Sequence, residues 1–392
     1  MRKLIQKFAV TYEYPVHFTQ DLFALDNLLL LEIIQNDRFY HPVKMLVLIE
    51  NAVATAHPLL ISQIEQYIQN YPDIMQLPIS PIVINGGESI KNDRFYLDQL
   101  YGQIIQCGLC RHSAMIVIGG GAVLDAVGYV AATAHRGIPL LRIPTTVLSQ
   151  CDSGVGVKNS INFNTQKNFL GTFTPPYTVI NDLKFLNSLS ERDWRAGIAE
   201  AIKVALIKDH AFFNFLQESI VAINARDINV MGEIIYRAAE LHLVHIGQGG
   251  DPFEQGSSRP LDFGHWAAHK LEILSNYSLR HGEAVAIGIA LDVTYAYLAG
   301  FLNEKIWHAI LNLLQQFQLP IYHPALTHNM DEPQDKNSIF QGLQEFREHL
   351  GGELTLMMLQ DIGRSFNLHT VNYLYYQNAI GLLASMSEVT CS

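Results

Sequence analysis

The pattern of apolar and polar positions changes character near residue 186. Before it, apolar runs of strand length (Val43 to Ile49, Pro81 to Ile84, Ala114 to Ile118, and one ending at Ile143-Pro144) alternate with stretches of helical period. Those stretches include residues 58–69 and the Ala/Val-rich run Ala122 to Ala134. Unbroken apolar strands separated by helices predict an α/β domain with a mainly parallel sheet. Residues 6–18 alternate as a strand entering a hairpin would. Beyond 186 helical periodicity dominates to the end, opening at Ser190-x-x-Asp193, a capping-box spacing. The expected layout is an α/β domain over 1–185 and an all-α domain over 186–392, packed about a cleft because no Gly/Ser linker separates them. Two long apolar segments, 114–134 and 284–302, carry Asp125 and Asp292 and read as buried core, not as membrane spans.

Composition changes this picture little. A chain of 392 residues is long enough for two cores, and 49% apolar with 16% charged residues is the balance of a soluble enzyme. A formal net charge of −11 argues against nucleic acid as a partner, while leaving room for a local basic pocket that attracts an anionic small molecule. Four cysteines (Cys107, Cys110, Cys151 and Cys391) are too few for a disulfide scaffold and suit a reducing cytosol. Cys107-x-x-Cys110 has no second pair, so structural thiols are favoured over a metal or redox site. The N-terminus shows no signal-peptide pattern, and a cytoplasmic protein is expected.

The candidate chemistry lies in three places. Gly119-Gly120-Gly121 follows an apolar run and precedes a helical one, an arrangement that brings free N–H groups up to a phosphate. Leu124 stands where the dinucleotide fingerprint has its third glycine, so a plain tight turn remains open on these residues alone. Glu50, at the end of the Val43 run, reads equally as a ribose ligand or a solvated loop acid. Glu200 and Lys203 share one helical face among apolar neighbours. His265 and His269 lie four apart, and His281 opens the next helix. Together with Glu200 these histidines offer enough ligands for a three-ligand site with open positions, suited to Zn²⁺ with Co²⁺ as a substitute.

The order GGG-x-x-x-Asp125, Arg136-Gly137, Pro144-Thr145-Thr146-x-Leu148-x-Gln150-x-Asp152-Ser153, then Lys158 and Lys167-Asn168, resembles the dehydroquinate synthases and their relatives, the sugar phosphate cyclases. The resemblance runs, with gaps, over nearly the whole chain. It implies an NAD-binding N-terminal domain, with Glu50, Gly87, Glu88, Lys91, Gly120, Gly121, Ala122, Val123, Asp125, Thr145, Thr146, Asp152, Ser153, Lys158 and Lys167 around the cofactor. The helical domain would bind metal through Glu200, His265 and His281. His269 then faces substrate or moves a proton. Lys158, Asn168, His269 and, from a neighbouring subunit of a homodimer, Arg136 would face the substrate phosphate; Asp152 and Lys203 would contact hydroxyls. The family reaction converts a seven-carbon keto sugar phosphate into a carbocycle. A hydroxyl is transiently oxidised by NAD, phosphate leaves by β-elimination, the ketone is reduced again, and an intramolecular aldol step closes the ring.

Departures from the family pattern bear on the substrate. His242 stands where dehydroquinate synthases carry lysine, and Asp262 where they carry asparagine. The loop 247–258 and the segment 345–352 are also atypical. Both single substitutions reduce positive character, which disfavours a carboxylate substrate and leaves a hydroxymethyl ketose unaffected. Arg259 is the foremost group to hold a carboxylate, and Arg259 or His269 could pair with Asp262. The combination resembles a side branch such as the dehydroquinate-synthase-like proteins of bacterial pigment clusters. The expected substrate is sedoheptulose 7-phosphate-like, ahead of the shikimate-route heptulosonate phosphate. The alternatives are a true 3-dehydroquinate synthase, or a metal-dependent NAD polyol dehydrogenase of the same architecture.

Overall fold

The computed structural model describes residues 2–164, 166–249, 251–253 and 259–390. The atypical loop 247–258 therefore lies partly outside the described residues, as does Cys391. The chain forms two compact units: 1–145 with 156–182, and 146–155 with 183–392.

The first unit is built on strands β1 (Val16–Thr19), β2 (Val43–Glu50), β3 (Met75–Gln76), β4 (Ile82–Ile84), β5 (Ala114–Gly119), β6 (Leu140–Pro144) and β9 (Thr178–Asp182). Between β6 and β9 comes a separate antiparallel hairpin, β7 (Lys158–Phe163) and β8 (Gln166–Phe173). The main sheet runs β1-β9-β6-β5-β2-β3, with β4 also on β2, and its pairings are parallel. Every residue of β5, β6 and β9 is buried, which is why these strands read as unbroken apolar runs. Helix α1 (Gly121–Thr133) packs Val123, Leu124, Val127 and Val130 into the core beside the sheet.

In the second unit helices dominate: α2 (Ile198–Lys208), α3 (Ile228–Gln248), α4 (His265–Leu274), α5 (His281–Leu298) and α6 (Tyr373–Thr390) carry the features used below. No helix among the described residues is long and apolar enough to cross a membrane.

Three expectations need correction. Residues 6–18 do not enter a hairpin: only Val16–Thr19 forms a strand, and it pairs in parallel with β9 far along the chain. The helical unit contains a hairpin, β10 (Leu356–Asp361) and β11 (Arg364–Leu368), turned at Gly363 with φ 77°. The domains do not divide once at 186. The main break falls between Asp182 and Leu183, and 146–155 clusters with the helical unit. The reason is close packing: a Cβ on Gly197 would lie 2.4 Å from Leu148 N and 2.5 Å from Val147 Cβ, so this segment is seated directly on the start of α2.

Candidate active site

In the first unit the glycine turn caps α1. Gly120 N–H donates to Glu50 Oε2 at 2.7 Å, so Glu50 sits at the positive end of the helix. The sequence left Glu50 open between ribose ligand and loop acid; here its carboxylate contacts the glycine turn itself. A Cβ on Gly86 would come within 2.0 Å of Glu50 Oε1, so a larger residue there would have to displace the Glu50 carboxylate from the glycine turn. Gly87, at φ 73°, turns the chain into Glu88–Lys91. The buried Lys91 Nζ donates to Asp125 Oδ2 at 3.0 Å and to Asn168 Oδ1, with Glu88 Oε1 at 3.8 Å. Ser160 Oγ also donates to Asn168 Oδ1, at 2.9 Å. Asn168, expected on the phosphate side, thus contacts Lys91 and Ser160. Lys158 is exposed at the start of β7 and Lys167 half-buried on β8. Arg142, which sequence reasoning did not single out, is fully buried and anchors this hairpin through Gly156 O (2.8 Å) and Lys158 O (3.1 Å). Thr145 N–H donates to Gly119 O at 3.1 Å, tying the end of β6 to the glycine turn. Arg136 is exposed on a turn in which His135 and Arg136 both take left-handed angles, φ 51° and 64°. It borders a surface pocket of about 610 Å³ with Arg111, His112 and His135.

The second unit gathers the metal-ligand candidates. Glu200, on α2, is 3% exposed. Its Oε1 lies 3.6 Å from His265 Nε2 and 3.3 Å from His281 Nε2. One ligand atom from each of the three lies within 4.8 Å of the others. The other ring nitrogens settle which nitrogen faces inward. His265 Nδ1 is 3.2 Å from Phe263 O and, against a carbonyl, must carry the proton, which leaves the Nε2 lone pair for a metal. His281 Nδ1 is 3.3 Å from Glu272 Oε2. Glu272 is buried and was missed from the sequence; its one signal was an acid three residues after His269, on the face carrying the histidines. Two imidazole nitrogens and a carboxylate oxygen converging at a buried point fit a divalent ion such as Zn²⁺. His269, Glu272 and His281 form a second possible trio, but His269 is exposed and Glu272 is engaged with His281 Nδ1.

Beside this trio, Lys203 Nζ bridges Glu200 Oε2 at 2.6 Å and Asp152 Oδ2 at 2.9 Å. Burial works to lower the Lys203 pKa, but the two carboxylates outweigh it and hold the amine charged well above its ordinary value. Asp152 comes from the π-helical turn Ser149–Ser153 within 146–155. Its Oδ1 faces His242 on α3 at 3.7 Å. Thr146 Oγ1 and Ser149 Oγ pair at 2.8 Å and brace the start of that turn, which ends at Ser153. Arg259 and Asp262 bracket a short turn, Asp262 N–H donating to Arg259 O at 3.0 Å.

Models for the 3-dehydroquinate synthase N-terminal and C-terminal regions match residues 81–196 and 197–338. A 3-dehydroquinate synthase of Shewanella sp. (strain MR-4) is 31% identical over 353 residues, 90% of this chain and 91% of that protein. Among solved structures, 2-epi-5-epi-valiolone synthase from Streptomyces hygroscopicus subsp. jinggangensis 5008, with NAD⁺ and Zn²⁺ bound, superposes with a TM-score of 0.85 at 26% identity, covering 98% of this chain and 100% of that one. Glycerol dehydrogenase from Schizosaccharomyces pombe shares the fold at 13% identity, with a TM-score of 0.62 over 98% of this chain and 92% of its own.

Proposed function

The chain belongs to the 3-dehydroquinate synthase family, and on that premise we propose that it is a cytoplasmic, NAD- and metal-dependent sugar phosphate cyclase, a phosphate-eliminating lyase, acting on a ketose phosphate with an uncharged first carbon. The observation that carries the reading is the convergence of Glu200, His265 and His281 beside the Asp152–Lys203–Glu200 chain of charges. Glu200, His265 and His281 would hold the ion. The turns at 119–123 and 87–91, with Asp125, Thr145 and Thr146, would hold NAD. When bound, these groups would accept a hydride and polarise the reacting hydroxyl and its ketone.

The protein's own part is orientation and charge. Lys203, held charged, keeps the Glu200 carboxylate ionised and presents one N–H toward substrate hydroxyls. Asp152 accepts from a hydroxyl on the same side. His269, on the exposed face of α4, would move a proton or meet the phosphate, and Lys158, Asn168 and Arg136 would be the other phosphate-side contacts, Arg136 from the partner of a two-fold dimer.

An uncharged first carbon is favoured because His242 faces the Asp152 carboxylate where the family pattern has a lysine. The runner-up substrate is the heptulosonate phosphate, favoured by the 31% identical 3-dehydroquinate synthase and by Arg259. The test is release of inorganic phosphate from each sugar phosphate with metal and NAD present. A cyclase releases phosphate without accumulating NADH; accumulation of NADH with a polyol would instead mark a dehydrogenase.

A further inference from the structure

Asp292 lies in the middle of α5, 1% exposed, within a stretch (284–296) that is buried throughout. An isolated carboxylate in such a place is strongly unfavourable unless its oxygens are satisfied. They are satisfied by three donors. Oδ1 accepts from Trp266 Nε1 at 2.9 Å and from Tyr376 OH at 2.9 Å; Oδ2 accepts from Gly264 N–H at 3.2 Å. Burial, the largest influence, pushes its pKa up to about 7, against the pull of these three bonds. Every partner donates, so the ionised form matches the site.

The identity of two donors is what matters. Gly264 and Trp266 are the residues immediately before and after His265. Gly264 takes φ 76°, and a Cβ there would lie 2.7 Å from Ile289 N. A Cβ on Gly288 would lie 2.1 Å from Gly264 O. The start of α4 therefore presses glycine against glycine on α5, while Asp292 grips it on both sides of the histidine. The third donor, Tyr376, belongs to α6 and packs edge-on against Trp266 with ring centroids 5.1 Å apart.

We propose that Asp292 is a positioning residue for His265: by holding Gly264 and Trp266 it fixes the first turn of α4 so that His265 Nε2 faces Glu200 Oε1. This rests on the metal-site reading above. An asparagine could not substitute, because its amide would set an N–H against one of the donors.

The test uses Co²⁺ as probe on the full chain, measuring binding affinity, the visible absorption of the bound ion and thermal stability. D292N is expected to lose 10- to 100-fold in Co²⁺ affinity, the scale of an outer-shell contact, with an altered visible spectrum. Y376F keeps both bonds to α4, so it should retain native affinity and spectrum while melting earlier. Native affinity and spectrum in D292N would overturn the proposal. So would a loss in Y376F matching that in D292N, which would mean general loosening of the unit. If D292N does not fold, W266F removes one of the two bonds flanking His265, and native Co²⁺ binding by that variant would overturn the proposal equally. Failure of the unaltered chain to bind Co²⁺ would overturn the metal site itself, and this inference with it.

Discussion

His242 Nδ1 lies 3.7 Å from Asp152 Oδ1, while Lys203 holds the other oxygen of that carboxylate. Imidazole is mostly neutral near pH 7, whereas the lysine of the family pattern is charged. A histidine in place of that lysine removes a permanent positive charge beside an aspartate already shared with Lys203. A charge contact in a partly desolvated pocket is worth roughly 2–5 kcal/mol, about 30-fold or more. H242K should therefore raise kcat/KM for the heptulosonate phosphate, relative to sedoheptulose 7-phosphate, by about 30-fold or more. The comparison is made on one metal-loaded preparation. Efficient turnover of the heptulosonate by the unaltered chain, with none of sedoheptulose 7-phosphate, would show that other groups, Arg259 foremost, still hold the carboxylate.

Metal uptake should release a proton. Burial works to lower the His281 pKa, but Glu272 and Glu200 outweigh it and raise it to about 9. Without metal, the charged ring between two carboxylates contributes stability that is fully present below about pH 6.5 and is lost as pH rises through 9. A metal needs the neutral ring, so binding at pH 7 displaces that proton. Affinity for Zn²⁺ should rise about tenfold per pH unit between 7 and 8. Calorimetric titrations in buffers of different ionisation enthalpy count the proton; pH-independent affinity with no proton released would remove His281 from the ligand set.

Gly120 has φ −79° and ψ 174°, extended backbone open to any residue. G120V therefore adds no backbone strain, and its effect on cofactor binding reads the approach of a ligand. Loss of NAD binding with an unchanged melting temperature is expected. Retained NAD affinity would separate the glycine turn from the cofactor.

Arg136 can be tested across subunits. R136A and H265A should each be inactive alone. Co-expressed as mixed dimers they should recover activity, because the chain with intact ligands would receive Arg136 from its partner. No recovery, or a fully active monomer in solution, would place Arg136 outside the site.

The parts of this architecture that were legible from sequence are those whose cause is local. Buried parallel strands are apolar at nearly every position, so β2, β5 and β6 announced themselves, and helical spacing put His265 and His269 on one face, while the family resemblance joined Glu200 and His281 to them. What escaped depends on distant partners. Glu272 is defined by a contact with His281 across two helices. The partner of β1 is β9, far along the chain, which no local alternation announces. The hairpin of β10 and β11 was hidden because 356–359 is buried at each residue and shows no alternation, although Asp361-Ile362-Gly363 carried a turn signal.

The passage of 146–155 into the helical unit limits how this protein can be divided. A gene fragment beginning at Leu183 would encode Lys203 and all three metal-ligand candidates. It would lack Asp152, and it would leave the crowded face of Gly197 without Val147 and Leu148. During synthesis, ten residues made early must wait for the helices that will receive them. Exchange of the C-terminal half with a homologue at a single crossover would pair a foreign α2 with a resident Asp152. Chimeras should tolerate such a junction only when 146–155 travels with the helices it serves.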